Sequence, residues 1–285
     1  MLKIVLTGSE GQLGKALAEV FVSECVLKID THNCDITNRS EIMSKITSFF
    51  PDVVLHCAAY TSVDQAEKDF DHCYEVNARA TKHIVDACFE VDAELLYVST
   101  DYVFSGDGEI PYEVEDKASP LSTYGMSKMQ GEEIVKERIK NHYVIRTSWL
   151  YGDGNNFVKT IINLAKTKNE LNIVSDQIGS PTYTVDLAKT IFDIIKSKKY
   201  GTYHVTNEGF CSWADFAELI FLKMGITVEI NRVTSEEYKS KAQRPKNSRL
   251  SKSSLDLNGI ERLPNLRDAL ERYLPTIDSG EVDEG

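Results

Sequence analysis

The sequence has no long hydrophobic segment and no excess of basic residues. A bilayer-spanning helix needs about 20 consecutive apolar residues. No stretch of the chain provides them, so we expect no membrane partner. The N-terminal stretch, Met1 to Leu6, is too short for the core of a signal peptide. A formal net charge of −12 at pH 7 does not fit a broad nucleic-acid surface, so no nucleic-acid partner is expected.

Closely spaced cysteine pairs are also missing. The six cysteines are scattered, and none forms a Cys-x-x-Cys pair or a Cys/His set with zinc-ligand spacing. We therefore predict free thiols in a cytoplasmic protein without a structural metal.

What the chain does contain is the composition of a folded protein, with 42% hydrophobic and 27% charged residues among 285. This length suits one large domain or two closely joined ones. No linker marks a boundary, so we predict interleaved units. Residues 1–150 form a dinucleotide-binding domain that also takes parts of 171–205. Residues 151–275 form most of a substrate-binding domain, and 276–285 form an acidic tail whose end is expected to fray.

Short apolar segments alternate with amphipathic ones through the first half of the chain. The pattern predicts strands over residues 3–6, 26–29, 53–58, 95–99 and 143–146, and helices over 12–22, 40–49, 71–90 and 123–139. Such alternation is typical of an α/β fold, a Rossmann-type doubly wound parallel sheet. Beyond residue 150 we predict helices over 156–168, 183–197 and 212–223, short strands over 171–174 and 202–205, and a loop over 238–249. These elements indicate a smaller C-terminal α/β domain.

A glycine motif follows the first predicted strand directly. Gly8, Gly11 and Gly14 have G-x-x-G-x-x-G spacing, with Gln12 and Leu13 opening the next helix. Small residues allow a sharp turn, and the helix N-terminus offers N–H groups to a pyrophosphate. The motif therefore predicts dinucleotide binding, although a tight turn alone is the alternative.

Further cofactor contacts are predicted at the ends of the second and third strands. Asp30 lies 22 residues after Gly8, where an acid accepts hydrogen bonds from the adenosine ribose and favours NAD(H). A turn cap is the alternative role. Asp35-Ile36 is placed against the adenine, and Ala58-Ala59-Tyr60 against the nicotinamide side. Cofactor choice between NADP(H) and NAD(H) stays open.

Tyr124 and Lys128 stand four residues apart, one above the other on a predicted helix face. Carbonyl reduction needs a proton donor, and a nearby ammonium together with the positive charge of the oxidised nicotinamide lowers the pKa of a phenol toward the working range. The pair alone also fits an ordinary surface helix. Thr100 ends the fourth predicted strand, at the edge where open α/β sheets bind ligands, and can hydrogen-bond a substrate oxygen.

In this order, the glycine turn, the strand-end hydroxyl and Tyr-x-x-x-Lys resemble the extended short-chain dehydrogenase/reductase family. Within it, the chain is similar to the dTDP-4-dehydrorhamnose reductases. The stretches that carry this similarity are 58–67, 99–104, 146–152, 176–182 and 244–248. The resemblance implies an oxidoreductase that uses NADP(H) or NAD(H) to reduce the 4-keto group of dTDP-4-dehydro-L-rhamnose, in nucleotide-sugar and polysaccharide biosynthesis. It also implies a possible homodimer.

Substrate contacts follow from the same resemblance, at Thr100, Asp101, Tyr102, Trp149, Arg244 and Lys246. Asp101 orients the sugar or tunes the proton donor, with a turn cap as the alternative. Trp149 flanks the sugar or only packs. Arg244 and Lys246 meet the diphosphate or belong to a solvated basic loop.

Two other functions are compatible with such a chain. One is a nucleotide-sugar epimerase or dehydratase, but the dehydratases carry a glutamate after the strand-end Asp, where this chain has Tyr102. The other is a non-catalytic cofactor-binding subunit resembling the methionine adenosyltransferase beta chain. Retention of Thr100, Tyr124 and Lys128 argues against that role. Net consumption of reduced cofactor distinguishes a reductase from both.

Overall fold

A computed structural model describes residues 1–277 of the chain. Its strands are β1 (Lys3–Thr7), β2 (Cys25–Ile29), β3 (Val53–His56), β4 (Glu94–Thr100), β5 (His142–Thr147), β6 (Leu150–Tyr151), β7 (Glu170–Val174), β8 (Ile178–Gly179), β9 (Thr182–Tyr183), β10 (Gly201–His204), β11 (Cys211–Ser212) and β12 (Glu229–Val233). Its helices are α1 (Gln12–Val20), α2 (Arg39–Phe49), α3 (Val63–Ala66), α4 (Phe70–Tyr74), α5 (Ala80–Val91), α6 (Thr123–Arg138), α7 (Phe157–Ala165), α8 (Thr184–Ser197), α9 (Trp213–Met224), α10 (Ser235–Tyr238), α11 (Ser253–Leu257) and α12 (Leu266–Tyr273).

The central sheet has six strands in the order β2-β1-β3-β4-β5-β10, and all neighbouring strands are parallel. The predicted Rossmann-type α/β fold is thereby confirmed. The chain changes direction across the sheet between β1 and β3. Open α/β sheets bind ligands at such a point, beyond the carboxyl ends of the strands.

Both faces of the sheet are covered, which explains why its strands are apolar without alternation. Ile4 and Leu6 of β1 face a core cluster that includes residues of α1 and α8. Val5 points to the other face, where α2 and α5 contribute Ile42 and Ile84. The sheet is therefore a rigid middle layer between two helical layers.

A smaller group of elements, α7, α9, α12 and short strands, forms a further core cluster beside the two on the faces of the sheet. Between its segments the chain returns to the sheet. Helix α8 contributes to the same core cluster as α1, and β10 pairs with β5. Leu255 and Leu263 likewise belong to the core cluster of α1 and α8, before α12 joins the cluster of the C-terminal elements. These crossings support interleaved units, and the domain boundaries stay a prediction.

Several elements differ from the sequence-based expectation. The predicted helix 71–90 is interrupted by a π-helical turn over Glu75–Arg79, and the third strand ends at His56 rather than residue 58. The two-residue strands β6, β8, β9 and β11 are too short to show a pattern. The loop predicted over 238–249 is confirmed from residue 239 onward, because α10 ends at Tyr238 and the next helix, α11, begins at Ser253. The expected fraying of the acidic tail falls outside the described residues. Over residues 1–277, no helix is long and apolar enough to span a membrane.

Candidate active site

A cavity of about 920 Å³ opens at the carboxyl edge of the sheet. This volume lies within the range of small-molecule sites. Most of the residues predicted as site residues line it: Gly8, Gly11, Gln12, Leu13, Gly14, Asp30, Asp35, Ile36, Ala58, Ala59, Thr100, Asp101, Tyr102, Tyr124, Lys128 and Trp149. Tyr60, Arg244 and Lys246 are not among the lining residues. The structure thus brings the glycine turn and the Tyr/Lys pair to one space, while their roles stay predictions.

The glycine turn joins β1 to α1. Gly8 has a φ of +68°, and a Cβ there would lie 2.7 Å from the backbone nitrogen of Ala58. A Cβ on Gly14 would lie 2.0 Å from the carbonyl oxygen of Gly8. Gly11 differs, because its nearest neighbour would be the Gly8 oxygen at 3.2 Å and its φ is −72°. Packing within the protein therefore requires glycine at positions 8 and 14 much more than at 11.

Open hydrogen-bonding capacity remains beside this turn. Helix α1 begins after Gly11 without a side-chain cap. Among the described residues, the buried Ser9 hydroxyl has no hydrogen-bond partner. A helix N-terminus with unpaired N–H groups suits the phosphates of a dinucleotide. The turn fits a pyrophosphate.

Asp30 and Asp35 line the cavity in the segment that follows β2. The Asp30 carboxylate accepts hydrogen bonds from the backbone N–H groups of Glu10 (2.8 Å) and Thr31 (2.8 Å). It therefore caps the glycine turn while lining the cavity, so both expected roles are geometrically available. Asp35 accepts from the Thr37 hydroxyl (2.7 Å) and N–H (2.9 Å), which fixes the loop around Ile36.

Tyr60 follows the two cavity-lining alanines but has other contacts. Its backbone N–H donates to the Asn77 side chain (2.8 Å), and its ring lies edge-on to His72, with centroids 5.4 Å apart. His72 itself lines the cavity and was not singled out by sequence. Tyr60 therefore packs behind the cavity wall, against a residue that lines it.

Helix α6 carries Tyr124 and Lys128 on one face. The Ser122 hydroxyl caps the helix by accepting from the Gly125 N–H (3.2 Å). A Cβ on Gly125 would lie 2.3 Å from the Tyr102 carbonyl oxygen, so glycine permits the close approach of α6 to the end of β4. Tyr124 consequently packs edge-on against Tyr102, with centroids 5.6 Å apart.

Burial sets the protonation states of Tyr124 and Lys128. It raises the pKa of Tyr124, although the nearby Thr100 hydroxyl acts in the opposite direction. The expected lowering of this pKa by Lys128 and the charge of the oxidised nicotinamide concerns the cofactor-bound enzyme and stays a prediction. Burial also lowers the pKa of Lys128 to about 7, and its ammonium nitrogen lies 4.0 Å from the Tyr97 ring centroid. Tyr124 consequently carries its proton at neutral pH, as a proton donor must.

Thr100 and Asp101 form a small hydrogen-bonded unit at the end of β4. The Thr100 hydroxyl donates to Asp101 Oδ1 (3.0 Å) and accepts from the Tyr102 N–H (3.2 Å). Within residues 1–277, Asp101 Oδ2 is buried without a hydrogen-bond partner. Burial raises the Asp101 pKa to about 6, although hydrogen bonds from the Ser248 and Thr100 hydroxyls act in the opposite direction. Asp101 is therefore suited both to hold Thr100 and to accept a further hydrogen bond.

Trp149 lines the cavity face to face with a second tryptophan, Trp213, whose centroid is 3.6 Å away. Trp213 comes from the C-terminal cluster of elements and was missed by the sequence analysis. Its rarity was the available signal, because the chain has two tryptophans in all.

Arg244 and Lys246 lie outside the main cavity. Arg244 forms an ion pair with Asp64 (2.7 Å) and lines a second space of about 440 Å³, which shares Thr61 and Val63 with the main cavity. Lys246 pairs with Asp176 (3.4 Å). Partner carboxylates account for both cations, so their expected contact with a diphosphate stays a prediction. For residues 1–277, no cluster of His, Cys, Asp and Glu suited to a metal ion is found.

Comparison with known proteins places the chain in a family. The family model "RmlD substrate binding domain" matches residues 2–279. The spore coat polysaccharide biosynthesis protein SpsK of Bacillus subtilis is 41% identical, over 96% of this chain and 97% of that protein. The dTDP-4-dehydrorhamnose reductase of Aggregatibacter actinomycetemcomitans is 40% identical over 92% and 93%. A crystal structure of the Bacillus anthracis dTDP-4-dehydrorhamnose reductase in complex with NADP superimposes with a TM-score of 0.94, at 42% identity over 96% of this chain and 99% of that one. The chain therefore belongs to the RmlD substrate binding domain family, together with the dTDP-4-dehydrorhamnose reductases.

Proposed function

We propose that this protein reduces the 4-keto group of dTDP-4-dehydro-L-rhamnose to give dTDP-L-rhamnose, with NADPH or NADH as reductant. One observation supports this most directly: the glycine turn and the Thr100, Tyr124 and Lys128 side chains line one cavity at the direction change of the sheet. The family membership and a reductase relative crystallised with NADP agree with it.

The position of each residue determines its role in binding or in proton transfer. Backbone N–H groups at the start of α1 would hold the pyrophosphate, with Asp30 near the adenosine ribose. When bound, the reduced nicotinamide supplies a hydride. Tyr124 holds the proton for the carbonyl oxygen, because burial keeps its phenol protonated. Thr100, fixed by Asp101, orients that oxygen beside Tyr124, and Lys128 would hold the nicotinamide ribose.

The residue after Asp101 separates this reaction from dehydration. A 4,6-dehydratase needs a carboxylate base there, but this chain has Tyr102, whose pKa is raised by burial. Tyr102 therefore stays neutral and cannot remove a sugar proton at neutral pH.

The test is spectrophotometric. With dTDP-4-dehydro-L-rhamnose and NADPH or NADH, we expect stoichiometric loss of the reduced cofactor. An epimerase, a dehydratase or a non-catalytic subunit would show no net consumption, and that result would refute the proposal.

Tyr124→Phe provides the matched variant. It removes only the hydroxyl that donates the proton, so turnover should fall by about 100-fold or more while the cofactor still binds. Near-normal turnover in this variant would exclude Tyr124 as the proton donor.

We further propose a cytoplasmic location and a homodimer. The first rests on the scattered cysteines, all of which are free thiols. The second rests on the family resemblance. Fractionation of cells and light scattering of the purified protein test them.

A further inference from the structure

Both tryptophans of the chain lie in one wall of the cavity. The ring centroids of Trp149 and Trp213 are 3.6 Å apart, with an angle of 12° between the planes. Full face-to-face overlap is less favourable for aromatic pairs than an offset or edge-on arrangement. The two rings come from different parts of the fold, the segment between β5 and β6 and the start of α9, so the surrounding structure holds them together.

Trp149 sits on an unusual backbone. Its φ is +51°, a left-handed conformation that bulky residues rarely adopt. The Thr182 N–H donates to its carbonyl oxygen (3.1 Å), which fixes the turn. A Cβ at Gly179 would lie 2.9 Å from the indole, so glycine makes room for the ring. Residues held in such conformations cluster at functional sites.

Trp213 is equally well fixed. It is the first residue of α9, which a capping box anchors: the Ser212 hydroxyl accepts from the Asp215 N–H (3.0 Å), and the Asp215 carboxylate accepts from the Ser212 N–H (2.9 Å). The Phe157 ring packs against Trp213 with centroids 4.5 Å apart. Phe157 does not line the cavity, so it supports Trp213 from outside.

We propose that Trp213 is a sugar-recognition residue, which forms with Trp149 the aromatic surface that receives the 6-deoxy sugar. This inference rests on the proposed function. A 6-deoxy hexose carries a methyl group where other hexoses carry a hydroxymethyl group, so one edge of it is apolar. Aromatic rings bury such C–H surface without requiring hydrogen bonds, and polar groups elsewhere in the site fix the orientation.

Tryptophan fluorescence tests this directly, because Trp149→Phe leaves Trp213 as the one indole. With NADP⁺ bound, this variant should change its emission saturably on titration with dTDP-L-rhamnose, with the dissociation constant found by calorimetry. Titration with dTDP, which lacks the sugar, should change the emission much less. Binding of dTDP-L-rhamnose by calorimetry without any change in emission would overturn the role of Trp213. If wild type binds neither ligand by calorimetry, the proposed function itself fails, and this inference with it.

Kinetics separate recognition from packing. We expect Trp213→Leu to raise KM for the keto-sugar about tenfold, the effect of one lost aromatic contact, with a smaller effect on kcat. Trp213→Phe should restore most of the affinity. The control Phe157→Leu disturbs the same packing from outside the cavity and should leave KM nearly unchanged. An unchanged KM in Trp213→Leu, or an equal rise in Phe157→Leu, would show that Trp213 only packs.

Discussion

At the scale of single residues, burial decides which groups of the site carry charge. Removal from water disfavours the charged form of any group, so it raises the pKa of phenols and carboxyls and lowers that of amines. Tyr124 and Asp101 follow the first direction, and Lys128 follows the second. The site therefore holds a protonated phenol, a carboxyl that titrates near pH 6 and an amine that titrates near pH 7. Such displaced titrations are typical of active sites.

Asp101 leads to a pH-dependent stability. Its pKa is about 6 in the folded protein and 3.8 ordinarily, so the folded state binds more protons between these values. Stability from this group is present below about pH 4 and is lost as pH rises through 6. At about 1.4 kcal/mol per pKa unit, the loss is roughly 3 kcal/mol. The free energy of unfolding is measured in urea for wild type and for Asp101→Asn. The value of the variant minus that of wild type should rise by up to this amount from pH 4 to 7.

Other buried groups also make the stability of the protein depend on pH, and the difference between variant and wild type removes their effect. Buried His56 and His204 have pKa values lowered to about 3 by burial, so they cost stability as pH falls below 6.5. Their slope opposes that of Asp101 but is common to both proteins and cancels. A difference that does not vary with pH would mean that Asp101 is already solvated in the folded state.

Asp30 leads to a prediction on cofactor choice. A carboxylate repels the 2′-phosphate of NADPH, but exposed charges are screened over roughly 8 Å at physiological salt. We expect both cofactors to work, with kcat/KM values within about 100-fold, or under ~3 kcal/mol. Asp30→Ala should move the ratio toward NADPH by removing the repulsion and the ribose acceptor.

Asp30→Asn is the matched control for this test. Because Asp30 also accepts from the Glu10 and Thr31 N–H groups, the alanine loosens the glycine turn, whereas asparagine keeps one acceptor there. Both variants should shift the ratio in the same direction. An unchanged ratio in both, or a shift toward NADH, would restrict Asp30 to capping the turn.

At the scale of elements, α6 is fastened to the sheet by a buried ion pair. Arg146 of β5 donates to both oxygens of Glu132 (2.9 and 2.8 Å), and Ser99 of β4 donates to the same carboxylate (2.6 Å). Despite burial, Arg146 and Lys136 hold the Glu132 pKa down to about 2, so the pair is ionised. Glu132 lies one turn after Lys128 on α6. The contact therefore fixes the helix that carries Tyr124 and Lys128 relative to the strand that ends in Thr100.

The glycine turn allows a clean test of the cofactor site. A Cβ at Gly11 would lie 3.2 Å from the Gly8 oxygen, a tight contact that a shift of a few tenths of an ångström relieves, whereas at Gly14 it would lie 2.0 Å from the same oxygen. Gly11→Val should therefore abolish measurable cofactor binding by calorimetry while the protein stays folded by circular dichroism. Gly14→Val, the control, should lose stability as well, because its side chain would meet the Gly8 backbone. Unchanged cofactor affinity in a folded Gly11→Val variant would place the dinucleotide elsewhere.

Elements with a strong pattern could be predicted from sequence, and weaker ones could not. The strands of the parallel sheet are buried on both faces, so they appear as uninterrupted apolar segments such as residues 53–55 of β3. Strand β12 has five partly exposed or exposed residues and gives no such signal. Likewise the Tyr/Lys pair is local in sequence, whereas the Trp149–Trp213 contact joins residues 64 positions apart. Motifs within one helix or turn can be found without a structure, but contacts between distant segments depend on the fold.

At the scale of the whole molecule, repeated chain crossings join the core cluster of the C-terminal elements to the cluster that α1 and α8 form on the sheet. Helix α8 packs in the core cluster on the sheet, and β10 pairs with β5. Leu255 and Leu263 belong to the same cluster on the sheet, and α12, which follows them, belongs to the C-terminal cluster. Val185, at the start of α8, packs against both clusters. Neither unit is a continuous piece of chain, so neither can lose its structure without disturbing the other.

This interleaving makes cooperative unfolding the expected behaviour, although chains of this size often unfold through intermediates. In urea, tryptophan fluorescence reports the cavity wall formed by Trp149 and Trp213, and far-ultraviolet circular dichroism reports all elements. The two transitions should coincide, as a two-state process requires. NADP⁺ at about 100 times its dissociation constant should add roughly 2.7 kcal/mol of stability and move both transitions together. A fluorescence transition that comes first, and that NADP⁺ leaves in place, would show that the C-terminal cluster unfolds independently of the sheet.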